Sequence, residues 1–229
     1  MIKFHPKDEM LKQHANGQLH LGLATAVSAH CELCSVCRDK LKQYTAAQAE
    51  QHLGEQSNDD IQTENVATLD NLSIANIDFS DMLKQITQLA PVEPTESQRT
   101  IVEVKDTQYA LPRALTNQVD HNWSGFGKIS RMRLNADENN SRASLLHIDA
   151  GGEIPEHSHT GREITLLLEG NFEDEFSQYV PGDFIELDAN HQHSPKTING
   201  CLCYTVVDAP LHFTKGISKI LNPIGELIY

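Results

Sequence analysis

Seven side chains of this chain have the types and spacing of metal ligands, and they fall into two groups of opposite chemistry. His30, Cys34 and Cys37 form H-x3-C-x2-C near the N-terminus, while His157, His159, Glu163 and His193 lie far downstream. The first group is rich in sulfur, and mixed thiolate–imidazole sets with four ligands are closed structural zinc sites. The second offers only nitrogen and oxygen. Such a set suits zinc, iron, manganese, nickel or copper and can keep a coordination position open. Cys201 and Cys203, two residues apart in a strand-like segment, share one face and are candidates for redox or sensing chemistry. Small buried thiols serve equally well as packing residues.

The N-terminal ligands need a helix. From Leu19 to about Leu53 there is no proline, and Ala, Leu, Gln and Lys dominate, so the spacing predicts one long helix. Leu23, Val27, His30, Cys34, Cys37, Leu41 and Tyr44 alternate at four and three residues and make a single stripe. At ~100° per residue, Cys34 falls about 40° to one side of His30 and Cys37 about 20° to the other. Cys31 points about 100° away and reads as a bystander, although a C-x2-C-x2-C set with it is conceivable. A closed zinc site needs a fourth ligand. A short helix over residues 6–15, broken at Asn16-Gly17, would pack antiparallel and bring His5 over the 30–37 turn, with His14 and His20 as competitors. Such an ion would staple a helical domain with little apolar interior of its own.

The downstream ligands need strands. The segments 101–104, 128–134, 143–148, 163–170, 182–187 and 201–207 are short, β-rich and separated by Gly, Pro, Asn and Asp. That is the pattern of an all-β barrel or jelly roll rather than of βαβ units. Gly151 to Gly170 fits G-x5-H-x-H-x3-E-x6-G. On a strand His157 and His159 share a face, and a turn through Thr160-Gly161 lets the next strand bring Glu163 back beside them. The segment from Gly182 supplies the fourth ligand, His193 by spacing, with His191 as rival.

Between these two regions the texture changes. From Glu50 to Asp81 there are eight acidic residues and no Lys or Arg, which reads as an acidic linker over about 54–78. Phe79, Met82, Leu83, Ile86 and Leu89 then recur at helical spacing. A helix of this length, 79–90, cannot bury that face unaided and must dock on its own domain, on the later domain or in a partner's groove, which makes it a candidate partner-binding element. A second linker spans 91–100. The expected organisation is thus a small all-α domain over 1–90 and an all-β barrel over 101–215, with a C-terminal extension at 216–229. A net charge of −14 speaks against direct nucleic-acid binding and is compatible with a basic protein partner. Residues 1–25 lack the regions of a signal peptide, and no apolar run approaches a membrane span, so a cytoplasmic location is expected. Five cysteines, three of them within seven residues, suit metal or redox chemistry better than a disulfide framework. The oligomeric state is not legible.

The segment 151–195 resembles the two motifs of the cupin superfamily, with Asp188 and Asn190 where the second motif usually has Pro and Gly. The H-x3-C-x2-C helix with an upstream histidine resembles the zinc anti-sigma domain. Together with W-x-G-F-G-K at 123–128, LEGNFEDEFSQYVPGDF at 168–184 and Gly200-Cys201, the order of the two parts resembles zinc anti-sigma factors of the ChrR type. The resemblance implies a non-enzymatic regulator that holds an extracytoplasmic-function (ECF) sigma factor inactive and releases it in response to singlet oxygen or related oxidants. It also implies structural zinc on His5, His30, Cys34 and Cys37, and a divalent cupin metal, zinc foremost, on His157, His159, Glu163 and His193. The alternative is a cupin metalloenzyme of dioxygenase type whose N-terminal helices serve dimerisation.

Overall fold

The computed structural model describes residues 1–53, 79–90, 99–120, 122–138 and 140–214, and the side chain of Phe126 is excluded. The acidic linker expected at 54–78, the linker at 91–98 and the extension at 216–229 lie outside the described residues. Two compact units emerge, one made of 1–50 with the barrel residues from 99 onward and one within 51–98.

Among the described residues four α-helices come first. Helix α1 (Asp8–Ala15) begins just after Pro6 and ends at Asn16, with Gly17 in the left-handed region at φ +67°. Helix α2 (Leu21–Leu33) is nearly apolar all round and buries Leu23, Ala26, Val27, Ala29 and His30, as expected of a helix enclosed by the protein. Helix α3 (Ser35–Leu53) follows directly, is mostly exposed and buries Cys37. The single helix expected over 19–53 is therefore two. Cys34 adopts an extended conformation (φ −112°, ψ 108°) between them. A chain without proline or glycine bends here because the buried positions on the two helices serve different contacts. Helix α4 (Ser80–Gln88), in the second unit, has no buried residue.

Among the described residues thirteen strands follow, all pairing antiparallel. The main sheet runs β10 (Phe184–Leu187), β7 (Glu163–Gly170), β12 (Cys201–Val207), β5 (Arg142–Ile148), β4 (Ile129–Arg133), β3 (Trp123–Phe126). A three-stranded sheet runs β11 (Gln192–His193), β6 (His157–His159), β13 (Leu211–Phe213). Two hairpins complete the set, β1 (Ile101–Val104) with β2 (Thr107–Ala110), and β8 (Phe172–Glu173) with β9 (Gln178–Tyr179). This is the expected antiparallel cupin-type barrel preceded by helices.

Alternation along the main sheet explains where the helices go. On β12, Cys201 and Cys203 face the barrel interior with Leu167, Ile148, Ile185, Leu187 and Phe213. Leu202, Tyr204 and Val206 face the other way, into a cluster with Ile164, Leu166, Leu145 and the α2 residues Leu23, Ala26 and Val27. Both sheet faces are thus buried, which is why β7 and β12 read as nearly continuous apolar runs. Burying Leu23 and Val27 contributes about 2 kcal/mol each. Polar contacts lock the register of α2 on the sheet. The Tyr204 hydroxyl donates to the Gly22 carbonyl (2.9 Å) and the Gln118 amide to Thr25 Oγ1 (2.6 Å). The Glu32 carboxylate accepts from the backbone N–H groups of Arg113 and Ala114 (3.0 and 2.9 Å), capping the short 3-10 turn Arg113–Leu115.

Candidate metal centres

The bend at Cys34 turns the end of α2 and the start of α3 around a common point. His5, from the extended segment before α1, reaches the same point. Its Nδ1 lies 3.5 Å from Cys34 Sγ and 3.4 Å from Cys37 Sγ. One ligand atom from each of His5, His30, Cys34 and Cys37 falls within 4.8 Å of all the others. His30 is fully buried. Its Nδ1 donates to the Gly182 carbonyl (2.8 Å), and its Nε2 has no hydrogen-bond partner. A buried unpartnered ring nitrogen costs stability unless a cation takes its lone pair. Burial holds the His30 imidazole down to about 4, so it is neutral and free to ligate. Burial, then the neighbouring Cys34 sulfur, pushes the Cys37 thiol up to about 12, so without a cation Cys37 stays protonated. These four residues fit a closed metal site.

The other cysteine and histidines of this region have different work. Cys31 is buried, stands outside the ligand group, and burial raises its thiol to about 11. His20 Nδ1 accepts from Leu23 N at the start of α2, and His14 Nε2 pairs with Ser28 Oγ at 3.2 Å. The competition for the fourth position thus falls to His5.

In the barrel, β6 presents His157 and His159 on one face, β7 opens with Glu163, and β11 brings His193 opposite His157. His193 Nε2 lies 3.0 Å from His157 Nε2 and 3.3 Å from His159 Nε2. Glu163 Oε2 is 2.8 Å from His159 Nε2 but is not hydrogen-bonded there. The outward nitrogens of two rings are occupied: His157 Nδ1 donates to the Pro155 carbonyl (2.9 Å) and His193 Nδ1 to Asp174 Oδ2 (3.2 Å). With those protons spent, Nε2 lone pairs of His157 and His193 face each other, and only a shared cation satisfies them together with the carboxylate. Each of the four side chains belongs to a residue 8 % exposed or less. Burial holds the His157 imidazole down to about 4. Burial pushes the Glu163 carboxyl up, but attraction to the adjacent His159, then to His193 and His157, outweighs it and holds it at about 2. Donor set and geometry fit a divalent ion.

The rival His191 is engaged elsewhere. Its Nδ1 lies 2.8 Å from Asp188 Oδ1, and the same oxygen accepts from Asn190 N (2.9 Å). Asp188 thus builds by side-chain hydrogen bonds the turn for which the motif usually has Pro and Gly. Cys201 and Cys203 lie in the barrel interior, and Cys203 is pushed well above the ordinary thiol range by its hydrogen bond with Cys201 and by burial. Two residues escaped the sequence reading. Asp174 accepts from His193, the Tyr179 hydroxyl (3.1 Å) and the N–H groups of Phe176 and Ser177 (2.9 and 3.1 Å). Asp183 is fully buried and takes three backbone N–H groups. Both stand inside the 168–184 motif, where acidic residues of a turn carried no separate signal.

The architecture and its two ligand groups define a cupin-type barrel bearing a thiol-containing helical segment. Residues 113–210 match the family model described as the ChrR cupin-like domain. The whole chain is 28% identical over 233 residues to the anti-sigma-E factor ChrR of Cereibacter sphaeroides, covering 99% of each. The structure is similar to that of Rhodobacter sphaeroides SigE in complex with the anti-sigma ChrR, with a TM-score of 0.61 and 23% identity over 91% of this chain and all of that one. The resemblance to ChrR-type proteins read from the motifs is borne out.

Proposed function

We propose that this chain is an anti-sigma factor that sequesters an ECF-type sigma factor and releases it under oxidative stress, singlet oxygen or related oxidants being the signal. The observation that supports this most is the match to a ChrR along 99% of both chains, with both ligand groups assembled. His5, His30, Cys34 and Cys37 hold structural zinc in this reading, and His157, His159, Glu163 and His193 hold a divalent ion, zinc foremost. Residues 1–90 form the gripping part, with Phe79, Met82, Leu83, Ile86 and Leu89 of α4 against the partner, and 101–215 form the sensing barrel. All five of those side chains are exposed. Sigma factors carry basic faces that contact DNA and polymerase, so a chain of charge −14 gains encounter rate with them. The site of action is the cytoplasm, where such a partner works.

Beside the barrel ligands lies an apolar interior with Phe213 against His157 at 6.2 Å, and in this reading the ion there is sensing or structural. An oxidant, or a product of it, that alters the barrel ligands or Cys201 and Cys203 would shift a two-state equilibrium between gripping and released forms. Moving it from 1:99 to 99:1 takes about 5.5 kcal/mol. Co-expression with an ECF sigma factor tests the reading. The full chain should co-elute with it on size exclusion and carry two metal ions per chain. Co-elution of residues 95–229 alone would overturn the assignment of the grip to the helices.

A further inference from the structure

The N-terminal ligand group does not lie within the helices alone. Of its four residues, His30 donates its Nδ1 proton to a barrel carbonyl, that of Gly182 (2.8 Å), in the turn that leads into β10. The next residue, Asp183, is 0% exposed. Its Oδ1 accepts from the backbone N–H groups of Lys3 (2.6 Å) and Phe4 (3.0 Å), and its Oδ2 from Val180 N (2.9 Å). Phe184 N then donates to the Phe4 carbonyl (3.0 Å), and the Phe4 ring stacks against Tyr179 at 5.2 Å. Ile2 covers Gly182 so closely that a Cβ there would collide with it. His5 is the residue immediately after this pinned segment.

A carboxylate needed only to close its own turn would be satisfied by Val180 N. Asp183 instead spends its other oxygen on two N–H groups almost the whole chain length away, both next to a ligand. We propose that Gly182 and Asp183 are positioning residues of the N-terminal metal site, so that the barrel builds part of that site's outer shell. Gly182 fixes which nitrogen of His30 faces the ion, and Asp183 fixes where residues 3–5 carry His5. The inference rests on the reading of His5, His30, Cys34 and Cys37 as a metal site. Outer-shell partners of metal ligands are worth about 10- to 100-fold in affinity.

Cobalt substitution of the full-length protein tests it, because thiolate-to-cobalt charge-transfer absorption reports only the sulfur-containing site. Release to excess chelator should be about 10- to 100-fold faster in Asp183→Asn than in the parent, while total metal analysis shows the barrel ion retained. Should that variant not fold, Lys3→Pro removes the N–H to Asp183 together with the Lys3 Nζ contacts to Gln178 O and Ser177 Oγ, and it should speed release in the same direction relative to Lys3→Ala, which loses those side-chain contacts but keeps the N–H. Release at the parent's rate in the folded variant overturns the proposal. A parent protein with no charge-transfer band overturns the metal reading itself, and this inference with it.

Discussion

A metal-ligating imidazole commonly donates its other ring N–H to an acceptor, which fixes the tautomer and the orientation of the ring. Three rings here have such acceptors: Gly182 O for His30, Pro155 O for His157 and Asp174 for His193. Of these Asp174 is the one side chain, so it can be tested. Asp174→Asn should weaken barrel metal binding about 10- to 100-fold and leave the thiol site loaded, as read by metal content after dialysis against chelator. A second residue-scale expectation concerns pH. His147, buried beneath β2, has Nε2 3.1 Å from the Tyr109 hydroxyl and Nδ1 3.4 Å from Asp149, which also pairs with Lys105. Burial lowers its basicity, Asp149 opposes and Lys105 adds to the lowering. The unfolded chain therefore binds this proton at higher pH than the folded one. Its contribution is complete above the ordinary histidine range and is lost as pH falls below it. The thermal midpoint should be lower at pH 5 than at pH 7, and His147→Gln should narrow that difference.

At the scale of elements, what was legible depended on whether local pattern and tertiary contact agreed. Strands β7 and β12 were read at their observed limits, because a run buried on both faces is bounded only by turn residues such as Gly170 and Gly200. The metal-ligand spacing in the barrel was legible because it is fixed by strand period and one turn. The bend at Cys34 was not. Nothing in LCSVCR breaks a helix, and the extended conformation there answers to the packing of α2 on the sheet and of Cys37 beside His5. The short strands β8, β9 and β11, two residues each, leave no period to read; β8 and β9 pair with each other and β11 with the distant β6. Helix α4 was expected from spacing alone, and its apolar residues are exposed. Leu83→Glu with Ile86→Glu should weaken sigma binding at least about tenfold, the cost of losing ~1.4 kcal/mol or more at a contact, with the thermal midpoint unchanged. Isothermal titration against the sigma factor measures the first and calorimetric unfolding the second.

On the scale of the molecule, composition indicated helices and a barrel but not that one apolar layer serves both. Leu23, Ala26 and Val27 pack with Leu145, Ile164, Leu166 and Tyr204, so the face that looked like the interior of a small helical domain is the outer wall of the sheet. No signal within residues 19–53 distinguishes those two uses of the same stripe. Residues 1–90 produced alone should bind a hydrophobic dye strongly and the full chain weakly, because the fragment bares the α2 face. Equal dye fluorescence in the two would show that the helices bury that face among themselves.

The Gly182–Asp183 turn also governs how such proteins can be recombined. A chimera spliced in the acidic stretch, with helices from one source and barrel from another, would put a foreign loop under His30 and a foreign carboxylate, or none, beside residues 3 and 4. Exchange would preserve the thiol-bound ion only where glycine and aspartate travel with the incoming barrel. Modularity in this architecture therefore depends in part on two residues of one turn.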